Sequence, residues 1–147
     1  MKKFSFSLDK VLSYKQQLEN SIRNEHAAIL QQVNQQEQKI RELEAEETET
    51  RRKLDEVKRK GCSPLELNSH EGYIGYLTAE LARERGVLLR LKKQEEAKRQ
   101  ELIEAKKETA SIDKLKVRKL EEYRKLEAKE QEQLVEEFVN HELSVAK

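Results

Sequence analysis

A chain of 147 residues could form one compact domain, but 40% of its residues are charged, 5% are aromatic, and it contains one proline and four glycines. That composition excludes an ordinary globular core and fits a coiled coil or long helix. With 30 basic and 29 acidic side chains the net charge is +1, so there is no whole-chain field to draw in nucleic acid or an anionic membrane.

At the start of the chain, Lys2-Lys3 lead into Phe4-Ser5-Phe6-Ser7 without the apolar core of a signal peptide, and no later apolar run has the length of a membrane span. A heptad pattern follows. One set of positions seven apart is Leu8, Lys15, Ile22, Ile29, Gln36, Leu43, Thr50, Val57, and the set four residues on is Leu12, Glu19, His26, Val33, Ile40, Glu47, Leu54. Nine of these fifteen positions are aliphatic. Only a helix repeating every 3.5 residues keeps such a 3-4 stripe on one side, so the pattern predicts a coiled-coil helix over about residues 6–60.

The pattern stops at Gly61-Cys62-Ser63-Pro64. Gly61 can take the left-handed conformation that ends a helix after Lys58-Arg59-Lys60, whose charges suit a C-terminus. Ser63-Pro64-Leu65-Glu66 reads as N-cap, proline at the first helical position and capping-box glutamate, with Cys62 and Leu67 as the accompanying staple. Residues 61–63 are therefore a turn. Cys62 is the only cysteine, which rules out an intrachain disulfide and fits a reducing compartment. The stretch Asn68 to Gly75 contains two glycines and is expected to kink or fray.

A second helix is predicted over about 64–142. Its seam is Ile74, Leu81, Leu88, Glu95, Leu102, Thr109 with Leu77, Glu84, Leu91, Lys98, Ala105, Ile112. Folding the two arms antiparallel pairs positions whose numbers sum to about 124, which aligns both seams at once. The expected architecture is all-α: a single long two-helix antiparallel coiled-coil hairpin over residues 1–147, with an overhanging C-terminal helix end. The layers around His26, Lys98, Lys15, Thr109 and Glu95 are polar, and loose or out-of-phase packing is expected there. From about Val117 the second helix should have no partner in the chain. Leu120, Tyr123, Leu126, Leu134, Val135, Phe138 and Val139 form an amphipathic stripe there whose phase departs from the seam. It reads as a docking surface, the alternative being a frayed helix end.

Basic pairs such as Lys92-Lys93, Lys98-Arg99 and Lys106-Lys107 recur along the second arm, but glutamates are interleaved with them throughout. They read as a solvated, mutually paired surface. No catalytic constellation is present. The four glycines form neither a phosphate-binding loop nor a dinucleotide fingerprint, and Glu137 with His141, one turn apart, lacks the further ligands that a metal site needs. A non-enzyme without cofactor or metal is expected.

Three segments together carry a family resemblance. Phe4-x-Phe6-x-Leu8-x-x-Val11-Leu12 resembles the opening of the flagellar export protein FliJ family. Ser63-x-x-Glu66-Leu67 followed by Tyr73-Ile74-x-x-Leu77-x-x-x-Leu81 is similar to the segment that opens the family's second helix, and Leu120-Glu121-x-Tyr123 followed by Leu134-Val135-Glu136-Glu137-Phe138 to its tail. The resemblance implies a soluble component of the flagellar type III export apparatus, an antiparallel coiled coil similar to the central stalk of rotary ATPases. Such a protein inserts into the hexameric export ATPase and touches the membrane-embedded export gate and export chaperones. Carried over by position, Phe4, Phe6, Leu8, Val11, Leu120, Tyr123, Leu134 and Phe138 would dock into the ATPase, and Leu43, Thr50, Tyr73, Leu77 and Glu80 would face the cytoplasmic part of the gate. The expected location is the cytoplasm, peripheral to the inner-membrane export apparatus, with no membrane insertion, no nucleic-acid partner and a monomer when alone. Alternative readings are another coiled-coil adaptor or chaperone-like hairpin, and a coiled-coil arm that binds RNA through its Lys/Arg pairs.

Overall fold

Residues 2–146 are described by the computed structural model. They form two helices, α1 (Asp9–Lys60) and α2 (Pro64–Val145), packed against each other antiparallel, and no strand occurs among the described residues. The fold is thus the all-α two-helix coiled-coil hairpin that the heptad pattern predicts.

The turn is built as its residue types require. Gly61 has φ of 86°, the left-handed conformation that other residues adopt only under strain. Ser63 is the N-cap of α2: its Oγ accepts the Glu66 N–H at 3.2 Å, and its carbonyl accepts the Leu67 N–H at 3.1 Å. Cys62 and Leu67, the two staple positions, are both half-buried. The helix does not fray there, and α2 runs unbroken through Gly72 and Gly75. Ile74 and Leu77 between and beside these glycines are buried, Leu77 with only 2% of its surface exposed. Burial of such side chains is worth about 1.5 to 3 kcal/mol each and outweighs a cost of about 1 kcal/mol per glycine.

The chain divides into two compact units. One spans Ile22–Leu102, contains the turn, and is itself a complete helical hairpin. Within it every position of both heptad sets, from Ile22 to Val57 and from Ile74 to Leu102, is buried or half-buried. Its cross-helix pairs give the register directly. Lys39 meets Glu84 at 3.1 Å and Lys98 meets Glu25 at 2.8 Å, and both pairs of residue numbers sum to 123.

Polar residues in this seam bond to one another: His26 Nε2 lies 3.0 Å from Glu95 Oε1. Around that layer Ile22, His26, Ile29, Leu91, Glu95 and Lys98 are half-buried rather than buried, the looser packing expected there. Glu84, only 6% exposed, accepts a 2.5 Å hydrogen bond from the Gln36 amide and an ion pair from Lys39. The Gln36 hydrogen bond foremost, then the one from Lys39, holds the Glu84 carboxyl below its ordinary value of 4.5. Basic side chains on α2 meet α1 glutamates in the same way, Arg85 with Glu44 at 3.1 Å and Lys92 with Glu37 at 3.7 Å, which is the paired surface read from the interleaved charges.

The other unit comprises the chain up to Ser21 and from Ile103 onward. Here Lys15 meets Glu108 at 2.7 Å and Asp9 meets Lys116 at 2.8 Å. Before α1, Lys2–Phe6 has no regular structure and lies along α2 as a strap. Phe6 is 7% exposed, the Phe4 ring lies 5.5 Å from that of Tyr123, and the Tyr123 hydroxyl donates to the Lys2 carbonyl at 2.5 Å. The expectation of a bare helix from Val117 is corrected accordingly, since the strap leaves Leu120 and Tyr123 half-buried. All positions from Ala128 to Ala146 are exposed.

Half-buried Thr109, Ile112, Lys116, Leu120, Tyr123 and Glu127 follow one another at steps of three and four, and the second four-residue step in succession, from Lys116 to Leu120, shifts the stripe out of the heptad seam as expected.

Two sets of stability measurements check these assignments. Ser63→Ala should lower the unfolding free energy by about 1 kcal/mol, whereas Gly75→Ala, whose new methyl meets nothing within 4 Å, should raise it by about 0.5 to 1 kcal/mol. Denaturant midpoints of the two variants report both. Glu84→Gln tests the polar layer. A carboxyl with a depressed folded pKa stabilises fully above its unfolded value and loses that contribution as pH falls through the folded one. The stability gap between the native chain and Glu84→Gln should therefore hold at neutral pH and close on acidification below about 4.5.

Candidate docking surfaces

Two helices in contact enclose no deep cavity, so the side chains that could act are those left outside the seam. In the unit Ile22–Leu102 the expected gate residues separate into two kinds. Thr50 is 6% exposed, its hydroxyl donating to the Glu46 carbonyl at 2.7 Å, and Leu77 is 2% exposed. Leu43 is half-buried beside them. These three hold the helices together and offer a partner little surface. Tyr73 does offer surface. It is 44% exposed, stacks on Tyr76 with centroids 6.2 Å apart, and donates to a Glu46 carboxylate oxygen at 3.2 Å. Burial first, then the Glu46 carboxylate, raises the Tyr73 hydroxyl's pKa, so it remains a neutral donor. Glu80 is half-buried and held by Arg83. Tyr76, 57% exposed, completes this patch, and its aromatic type at an exposed position three residues after Tyr73 is the signal that marks it.

In the other unit the expected ATPase-docking residues are brought together in part. Phe4, Phe6, Leu8 and Tyr123 line one groove where the strap crosses α2, with the Phe4 and Tyr123 rings in contact, and Leu120 is half-buried on the same stretch of helix. Burial first, then the negative charge of Glu127, raises the Tyr123 hydroxyl's pKa, which keeps it a donor for the Lys2 carbonyl. Val11 is 41% exposed on α1. Leu134 and Phe138 stand apart from that cluster, 60% and 62% exposed, with Val135, Val139 and Leu143 around them. The strap also leaves a groove of about 480 Å³ against α2, lined in part by Phe4, Leu115 and Leu126 and by Lys2, Lys3 and Lys119.

No group of three or more His, Cys, Asp or Glu side chains that could hold a metal ion occurs among the described residues. Among them, too, no helix is long and apolar enough to cross a membrane. Searches of curated proteins and of solved structures gave no significant match. The model of the family described as "Flagellar FliJ protein" matches residues 4–146, nearly the whole chain. With that match over the strap, both helices and the tail, the chain belongs to the FliJ family and is a non-enzymatic component of flagellar protein export.

Proposed function

We propose that residues 1–147 act as one stalk-like coiled coil that docks into the hexameric flagellar export ATPase and stimulates it, supplying no catalytic residue, and that links this ATPase to the export gate and to export chaperones. The observation that carries the reading is the tail: Leu134, Val135 and Phe138, each about 60% exposed, share one side of the end of α2, where every position from Ala128 to Ala146 is exposed. A folded protein that keeps so much apolar surface on one helix offers it to another protein. Burying one such side chain is worth roughly 1.5 to 3 kcal/mol, and three together exceed the lower estimates of about 4 kcal/mol for the cost of association.

In this reading Val11, Leu134 and Phe138 contact the ATPase, while Phe4, Phe6, Leu8, Leu120 and Tyr123 hold the strap and so shape the surface beside the tail. Tyr73, with Tyr76 and Glu80, contacts the cytoplasmic part of the export gate. Leu43, Thr50 and Leu77 support that patch from the seam. The protein works in the cytoplasm, peripheral to the inner-membrane export apparatus.

The test is the cognate ATPase. A chain ending after Ala128 retains the strap contacts and the seam, so it should keep its helical content yet fail to raise ATP hydrolysis. Leu134→Asp with Phe138→Asp in the full chain should act in the same direction, while Tyr73→Ala should leave stimulation intact and weaken binding to the gate's cytoplasmic part. Full stimulation by the shortened chain would sink the stalk reading in favour of a coiled-coil adaptor with other partners.

A further inference from the structure

The charge along the C-terminal part of α2 is divided into two blocks. Residues 114–125 carry six basic side chains, Lys114, Lys116, Arg118, Lys119, Arg124 and Lys125, against two glutamates. Residues 127–142 carry six glutamates, at 127, 130, 132, 136, 137 and 142, against one lysine. Two copies of such a helix oppose like charges when they lie parallel and unlike charges when they lie antiparallel.

The apolar surface is arranged in the same way. The acidic block carries Leu134 and Phe138, both well exposed. Beside the basic block lies the strap groove, whose lining combines Phe4, Leu115 and Leu126 with Lys2, Lys3 and Lys119 and one acidic residue, Glu122, 3.6 Å from Lys119. Leu126 is 58% exposed there, and Val117 of the same block is 55% exposed. An acidic helix with an apolar face and a lysine-bearing apolar groove thus occur side by side on one chain.

We propose that this region is a self-complementary interface: two copies pair antiparallel, the acidic tail of each lying along the basic block and strap groove of the other. An interface that uses both blocks of both copies is isologous and closes as a dimer, with its twofold axis at about residue 127, midway between the blocks. The dimer replaces the monomer expected from the sequence. The pairing itself stands apart from the proposed ATPase docking; that it would keep the tail covered until the ATPase displaces it rests on that reading.

Sedimentation equilibrium of the full chain should show a reversible dimer whose affinity falls about tenfold or more between about 50 and 500 mM salt, as expected for opposed charge blocks. Glu132→Lys, Glu136→Lys, Glu137→Lys in one variant and Arg118→Glu, Arg124→Glu, Lys125→Glu in another should each be monomeric. Mixed in equal amounts, the two should recover the dimer, since the reversed tail of one then faces the reversed basic block of the other and their two unreversed blocks face each other, with opposite signs at both contacts. Recovery on mixing also shows that both variants are folded. In a Cys62→Ser background, Ala128→Cys beside the twofold axis should form a disulfide-linked dimer on oxidation and Val145→Cys should not. A native chain that stays monomeric up to about 0.5 mM, a dimer indifferent to both triple variants, or a failure of mixing to restore it would overturn the proposal.

Discussion

Antiparallel burial of a 3-4 apolar stripe is the interaction on which every other feature of this protein depends. A helix as charged as α1 or α2 gains little from its own hydrogen bonds and exposed ion pairs, which contribute a few tenths of a kcal/mol each. What holds the two together is the seam, where Leu77 and Leu81 are each 2% exposed and Val33, Ile40 and Leu54 face inward at 6 to 7%. Leucine and isoleucine at these spacings would fit several registers. The polar layers select among them. Glu84 with Gln36 and Lys39, and His26 with Glu95, are satisfied only when the helices stand in one alignment. Slipping either helix would leave a half-buried carboxylate or imidazole without its partner, and removing an unpaired polar group from water is costly. Apolar burial therefore supplies the stability of the hairpin, and the polar layers supply its specificity.

The same constraint decides where function can reside. A seam one layer thick cannot wrap a substrate, and its carboxylates are too solvated or too well paired to be tuned as acid and base. Residues that keep the helices together are not free to bind anything else. Thr50 and Leu77, which family position suggested as contacts, are seam residues first; Tyr73, beside the seam and tied only to Glu46 and Tyr76, is free to act as an anchor.

Periodicity made most of the fold legible in the sequence. The two helices, the Gly61-to-Glu66 turn and the register near 124 are all set by residue type at fixed spacing, and local chemistry agrees with global packing at each. The glycine stretch was misread because helix propensity is a local quantity, and buried Ile74 and Leu77 override it. The strap was missed as a structural element although Phe4, Phe6 and Leu8 alternate at every second residue, the period of an extended chain rather than of a helix. Leu120 and Tyr123 lie beyond the reach of α1, and it is the extended strap, not a helix, that lies against this stretch of α2. The step from Lys116 to Leu120 takes the stripe out of the heptad seam just where α1 begins at Asp9 and the strap replaces it. Of the candidate surface residues, type alone identified Leu134, Phe138 and Tyr73; which others are accessible depended on packing that spacing does not encode.

That α2 stays helical to Val145 has its own physical cause, and it bears on how the tail can bind. An isolated helix of this length is marginal in water, because its first turn fixes several residues for one hydrogen bond. The tail does not meet that cost, since it propagates from turns already held by the seam and the strap, adding one hydrogen bond for each residue ordered. Its apolar face is therefore formed before any partner arrives. A segment that folded only on contact would surrender part of its interaction energy to ordering, whereas a preformed helix would bring Leu134 and Phe138 to any partner already aligned. The exposed end is thus an extension of the coiled coil's own cooperativity.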